Sequence, residues 1–260
     1  MSKTTTKKVY SDVAGPLEQF DIKPLYDINV AGYDLSLTNS SAWMIGILLF
    51  VWAFMFFGMR KAELVPGRWQ SMVEGLHEFV VGMVDENIGP KGRSFVPFIF
   101  SLFIFILVAN VAGLLPYSFT VTSHIAVTFA FAAFIFVMCI LIGIFRHGFA
   151  WFGFFLPPGT PWYLMPLIIP IEIISFLSRP ITLSVRLFAN MTAGHILLKI
   201  FAGFVVSLGV AGGIWSVVGV LPLAMNTALY ALELIVAIVQ AYVFALLTTV
   251  YLNDSINLEH

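Results

Sequence analysis

Between Trp162 and Leu252 the chain runs for about 90 residues with only five charged side chains: Glu172, Arg179, Arg186, Lys199 and Glu233. No strongly polar loop interrupts the stretch, so it belongs in a bilayer. One of the five is especially hard to place there. Arg186 lies in Ile-Thr-Leu-Ser-Val-Arg-Leu-Phe-Ala-Asn-Met (181–191). A guanidinium near mid-bilayer costs about 2.5–3.5 kcal/mol on insertion scales, and it keeps its proton under cellular conditions. A permanent cation held in lipid at that expense reads as functional.

Composition agrees. Of 260 residues, 60% are hydrophobic and 10% charged, and mean hydropathy is +0.96. A soluble domain would carry about 25% charged residues. The fold class is therefore all-α, a polytopic membrane protein with about five transmembrane helices. The lone Cys139 excludes a disulfide within the chain and reads as a buried structural thiol. The first forty residues are polar, with no apolar core until Trp43, so no cleavable signal peptide is expected.

The chain divides into a polar N-terminal arm (1–41), read as irregular, and one integral membrane domain (42–260). The spans are expected at about 42–59, 95–115, 125–145, 162–200 and 205–252. Residues 67–88 differ in kind. Trp69, Met72, Val73, Leu76, Phe79, Val80, Met83 and Val84 recur at helical spacing, with Gln70, Glu74, His77, Glu78 and Asp85 on the other side. That pattern predicts one amphipathic helix lying in the membrane interface. Arg60, Lys61, Arg68, Lys91, Arg93 and Arg146 flank the same ends of the spans, and the connection 116–124 has no Lys or Arg. The positive-inside rule puts residues 60–93 and Arg146 in the cytoplasm and the N-terminus outside.

The Pro-Pro-Gly break at 157–159 precedes two long helices. Leu223–Leu252 alone would be about 45 Å long, which requires strong tilt or protrusion. Glycines 203, 209, 212, 213 and 219 mark the region of the turn between them. Glu172, Arg179 and Arg186 are seven apart and Asn190 follows by four, so all four should fall close to one helix face. Asn226, Glu233 and Gln240 repeat the seven-residue spacing on the last helix. His195 lies nine beyond Arg186, on roughly the opposite side. Polar stripes inside hydrocarbon face a bundle interior or an aqueous cavity, and chains of acids and histidines there are typical of proton relays. Hydrogen-bonded glue between helices, worth about 0.6–2 kcal/mol per contact, explains Asn226 and Gln240 tolerably but Arg186 badly. No nucleotide-binding loop, metal-ligand cluster or nucleophile–base pair appears, so neither cofactor nor metal is expected. His77, His124, His147 and His260 read as interfacial or terminal side chains.

Leu-Ser-Val-Arg-Leu-Phe-Ala-Asn-Met-Thr-Ala-Gly-His (183–195) resembles the signature of subunit a of the rotary F-type ATP synthase. Pro-Leu-Glu-Gln-Phe (16–20), Asn-Val-Ala-Gly-Leu-Leu-Pro-Tyr (110–117) and Glu-Leu-Ile-Val-Ala-Ile-Val-Gln-Ala-Tyr-Val-Phe (233–244) match it too. The resemblance covers about residues 16–258. It implies a non-catalytic stator of a proton motor, its two long tilted C-terminal helices packed against a c-ring, held also by peripheral stalk (b-type) subunits and lipid. It implies two half-channels separated by Arg186, with His195 and Glu233 as the pair of channel residues and Glu172, Asn190 and Gln240 as further ones. Asn226, Asn110 and His124 are secondary candidates. Protons are the expected cargo, no nucleic acid is expected, and the setting is a bacterial inner membrane or, alternatively, a mitochondrial one. The rival reading is a proton-coupled secondary transporter, which would want inverted repeats and a midplane site on broken helices.

Overall fold

The computed structural model describes residues 22, 24–26, 29–30, 33–34, 36–60, 63, 65–115, 118–155 and 163–257. The motif at 16–20, Lys61, the end of the 110–117 motif, the break at 157–159 and His260 lie outside them. Within the described part of the arm, β1 (Pro24–Tyr26) pairs antiparallel with β4 (Leu37–Thr38), and β2 (Asn29–Val30) with β3 (Tyr33–Asp34). The arm is thus not irregular throughout. These nested ladders bring the chain back to Thr38, whose side chain accepts from the Ser41 amide and starts the first helix with a capping box.

Among the described residues, five helical segments are long and apolar enough to cross a membrane. The first, α1 (Asn39–Met59), is apolar all round and buries only Ser40, Ile47 and Gly58. Leu48, Leu49, Phe50, Trp52 and Phe57 are exposed, as a lipid-facing helix requires. Next comes α2 (Arg68–Asn87), which is not among the spanning helices. Val73, Val80, Met83 and Val84 pack inward, while Trp69, Met72 and Phe79 are exposed. Gln70 departs from the expected polar face. It is buried, its Nε2 donating to the Glu63 carbonyl and to Glu74 Oε1, and its Oε1 accepting from the Glu63 amide. At the other end of α2, Arg93 donates two bonds of 2.9 Å to Asp85 and holds that carboxyl below its ordinary range. With Cys139 replaced by alanine, cysteines at Glu74 or Glu78 should react with impermeant thiol reagents from the cytoplasmic side. Labelling from the opposite side would overturn both the interfacial reading and the orientation.

After a 3₁₀ turn at Pro90–Phe95, α3 (Val96–Gly113) supplies a large share of the core, burying Ile99, Leu102, Phe103, Ile104, Phe105 and Ile106. A 3₁₀ turn at Val121–Ser123 leads into α4 (Ile125–His147), on which Cys139 is buried. A third 3₁₀ segment, Gly148–Phe155, follows.

The last two long helices are α5 (Met165–Ala211) and α7 (Val220–Ile256), with the short α6 (Ile214–Val218) between them. At 1.5 Å per residue they are about 70 and 55 Å long. Both exceed the roughly 30 Å hydrocarbon core, so they must run obliquely to the bilayer normal or extend beyond it. The reversal falls past the 200–205 gap between the expected spans but within the glycine region expected to hold the turn. Gly203 and Gly209 continue inside α5, and the chain turns at Gly212 and Gly213, whose φ values of 69° and 60° L-residues with side chains rarely adopt. Pro170 and Pro180 also sit inside α5 without ending it.

Candidate functional site

The buried residues of α5 are Pro180, Leu183, Ser184, Leu187, Met191 and His195, a stripe at spacings of three and four. On α7 the matching stripe is Glu233, Ala237, Gln240, Ala241, Phe244, Ala245, Thr248, Thr249, Leu252, Ser255 and Ile256. The small residues of this stripe let the two helices lie close, antiparallel, in a membrane setting where packing drives association.

Among the described residues, polar contacts cross that interface at two places. Toward one end, Arg179 Nη1 donates to Asp254 Oδ2 at 2.6 Å, and its guanidinium lies 5.4 and 5.3 Å from the rings of Phe176 and Tyr251. Nearby, His147 Nε2 donates to the Ile256 carbonyl. Arg179 therefore clamps the end of α7, while Arg186 is exposed. Both lie near enough to Tyr251 to act on it electrostatically, but the Arg179 side chain also reaches across to a carboxylate beyond the apolar stretch.

At the other contact, His195 and Glu233 meet. His195 Nε2 lies 3.7 Å from Glu233 Oε1, with the two side chains only 10% and 3% exposed. Glycine at 194 makes room for the carboxylate: a Cβ there would stand 2.5 Å from Glu233 Oε1 and 2.7 Å from its Cδ. Both Glu233 oxygens are buried without a hydrogen bond from any described residue. A buried carboxylate left in that state is expensive as structural glue; it is suited to taking up and releasing a proton.

Polar side chains from the connection between α3 and α4 close over the pair. Thr120 Oγ1 is 3.0 Å from His195 Nε2, and Thr192 Oγ1 donates to the Ser123 carbonyl. Asn110, fully buried on α3, donates to the Ala237 carbonyl one turn beyond Glu233 and accepts from Thr122 Oγ1. Both ends of its amide are engaged, as in a clamp. His124 stacks on Phe119 with ring centroids 5.0 Å apart, and burial holds its imidazole below the ordinary histidine range. Asn226 Oδ1 is buried without a described partner. Gln240 is buried on α7, and Glu172 and Asn190 are part-exposed on α5. Among the described residues no cluster of His, Cys, Asp or Glu is arranged to hold a metal ion.

Arg186 stands apart from the pair. It is exposed, on a face shared with Ile181, Thr182, Val185 and Ala189, all exposed as well. An apolar outer face with one permanent cation fits neither lipid nor water, and so calls for a covering partner. Asp254 and Thr120 are among the residues in these contacts that escaped the sequence reading. Asp254 lies just past the apolar run, and Thr120 belongs to an uncharged Thr-Val-Thr-Ser segment that reads as a plain connection.

The architecture is that of an all-helical, polytopic membrane protein with a buried acid–histidine pair behind an outward-facing arginine. The family model described as ATP synthase A chain matches residues 40–253, and the chain belongs to that family. ATP synthase subunit a of Mesorhizobium japonicum is 52% identical over 250 residues, 96% of this chain and 99% of the relative. The subunit a of Rhodospirillum rubrum is 52% identical over 243 residues, 94% and 98% of the two chains. That of Agrobacterium fabrum is 50% identical over 245 residues, again 94% and 98%.

Proposed function

We propose that this chain is the proton-conducting stator subunit a of an F-type ATP synthase, passing protons through two half-channels to and from carboxylates on a rotating c-ring. Its role is non-catalytic in the chemical sense: it moves protons, and the ring converts their flow to rotation. The observation that carries the reading is the division of labour across α5. Arg186 is exposed on an apolar outer face, while His195 and Glu233 form a buried pair on the inner one.

Each side then has a physical task. The ring covers the outer face and presents its carboxylates to Arg186. A fixed cation favours the ionised form of a neighbouring acid, so it drives proton release before a ring site passes. It also stops protonated sites from slipping backward unexchanged, which keeps the half-channels separate. On the inner face His195 and Glu233 relay protons between the aqueous side and the ring, an imidazole and a carboxylate being the side chains suited to acid–base exchange. Gln240, Asn190 and Glu172 are further polar positions along the path, and Asn226, Asn110 and His124 secondary ones. Peripheral stalk (b-type) subunits and lipid cover other parts of the outer surface. A bacterial inner membrane is the proposed location, in keeping with the bacterial relatives.

Affinity purification of the tagged chain from mild detergent tests the assignment. A c-ring and a soluble ATPase head should co-purify, and inverted vesicles should pump protons on ATP addition. A solitary chain that transports a solute would instead support the proton-coupled transporter.

A further inference from the structure

Thr120 occupies a position that packing alone does not explain. Its side chain is 5% exposed, and its Oγ1 lies between two partners: the Gly113 carbonyl at 3.2 Å and His195 Nε2 at 3.0 Å. The same segment is held on both sides, with Ser123 Oγ donating to the Thr120 carbonyl at 2.6 Å and Thr192 on α5 donating to the Ser123 carbonyl. Glycine is needed at 113 for this fit. A Cβ there would stand 2.8 Å from Thr120 Cγ2 and 3.0 Å from Oγ1.

The hydroxyl has one proton and two lone pairs. A backbone carbonyl only accepts, and that of Gly113 has two donors within reach, Thr120 Oγ1 at 3.2 Å and Ser118 Oγ at 2.9 Å. The Thr120 hydroxyl can therefore donate to Gly113 and accept from a protonated His195 Nε2, or turn and donate to a bare Nε2 while Ser118 serves the carbonyl. It keeps a bond to Nε2 in either protonation state. The same Nε2 lies 3.7 Å from Glu233 Oε1, longer than a hydrogen bond. Thr120 therefore holds the ring with Nε2 adjacent to the carboxylate yet not closed on it.

We infer that Thr120 is a positioning residue for proton transfer, holding His195 with Nε2 within a short approach of Glu233 and keeping the two from locking into a closed ion pair. The inference rests on the relay assigned above to His195 and Glu233. The proton moves from Nε2 of a protonated imidazole to the carboxylate oxygen, or back; the neutral ring keeps its hydrogen on Nδ1, and Thr120 turns its hydroxyl toward the bare Nε2 but gains and loses no proton. The titratable groups around the imidazole are Glu233 and Tyr230 on α7, Lys199 one turn along α5, and His124 at the end of the 3₁₀ turn; α3 has none.

Thr120→Val removes the hydroxyl at nearly constant volume, and Thr120→Ser keeps it. In the assembled complex, ATP-driven proton pumping by inverted vesicles should fall about three- to tenfold in Thr120→Val, the scale of one lost hydrogen bond to a titrating group. Its pH–rate profile should be displaced from that of the parent, and Thr120→Ser should restore both rate and profile. Parent-like rate and profile in Thr120→Val would overturn the inference. So would equal impairment of the serine variant, which would assign the effect to packing. Glu233→Gln separates the two layers. Lost pumping there with a normal Thr120→Val leaves the relay standing and removes only Thr120, whereas normal pumping in Glu233→Gln removes the relay itself.

Discussion

Arg186→Ala should abolish coupled proton transport, by about a hundredfold or more, while the chain still inserts and assembles. That is the scale on which removing one preorganised electrostatic group acts in a water-poor site. Assembly should survive because Arg186 is exposed on the outer face of α5 and lies outside the buried stripe that joins α5 to α7. The measurement is ATP-driven pumping in inverted vesicles, with co-purification of the c-ring as the assembly control. Pumping at the parent rate would remove Arg186 from the mechanism. Arg186→Lys should also be severely impaired. A lysine loses its proton far more readily than an arginine in apolar surroundings, and presents a point charge where the guanidinium offers a fork of donors. Full activity in the lysine variant would mean that generic basicity suffices.

The contrast between Arg186 and Arg179 marks where sequence reading works and where it stops. Both are arginines in an apolar helix, seven residues apart, and period alone puts them on one face. The structure gives Arg179 a carboxylate partner, Asp254, 75 residues away, and two aromatic rings; it leaves Arg186 exposed. Partners at such separation are a product of packing, and no local pattern encodes them. The same holds for Thr120 and His195, 75 residues apart. By contrast, α1, α3 and α4 were legible because each is an apolar run bounded by polar residues, and α2 because its apolar and charged positions alternate at helical period. The reversal after α5 was not, since five glycines offered five possible breaks and hydropathy is nearly flat across them. Only backbone conformation distinguishes Gly212 and Gly213, with positive φ, from Gly203 and Gly209 inside the helix. The small ladders at 24–38 were missed for another reason: strands of two or three residues are too short to leave a periodic trace.

Exchanging the buried pair should report whether it works as one unit. Glu233→Gln should lower proton flux about a hundredfold, within the range for removal of a positioned acid–base group. His195→Gln should lower it less, because the carboxylate both attracts and carries the proton. The two are 3.7 Å apart and nearly excluded from solvent, so two groups sharing one proton path there should titrate as a coupled pair. His195→Glu by itself leaves two acids in the cavity, and Glu233→His by itself leaves two imidazoles. The double exchange restores one of each and should recover several-fold more flux than either single change. Thr120 tolerates the swap, since its hydroxyl can turn and donate to a carboxylate at 195. Gly194 limits it, because the space it leaves matches a carboxylate at 233 and an imidazole is larger; recovery should therefore stay below the parent rate. Flux measured for the three exchange variants at several pH values gives the interaction between the sites as a double-mutant cycle. Strictly additive losses, with the double exchange the slowest of the three, would mean that His195 and Glu233 do not share a proton path despite their proximity.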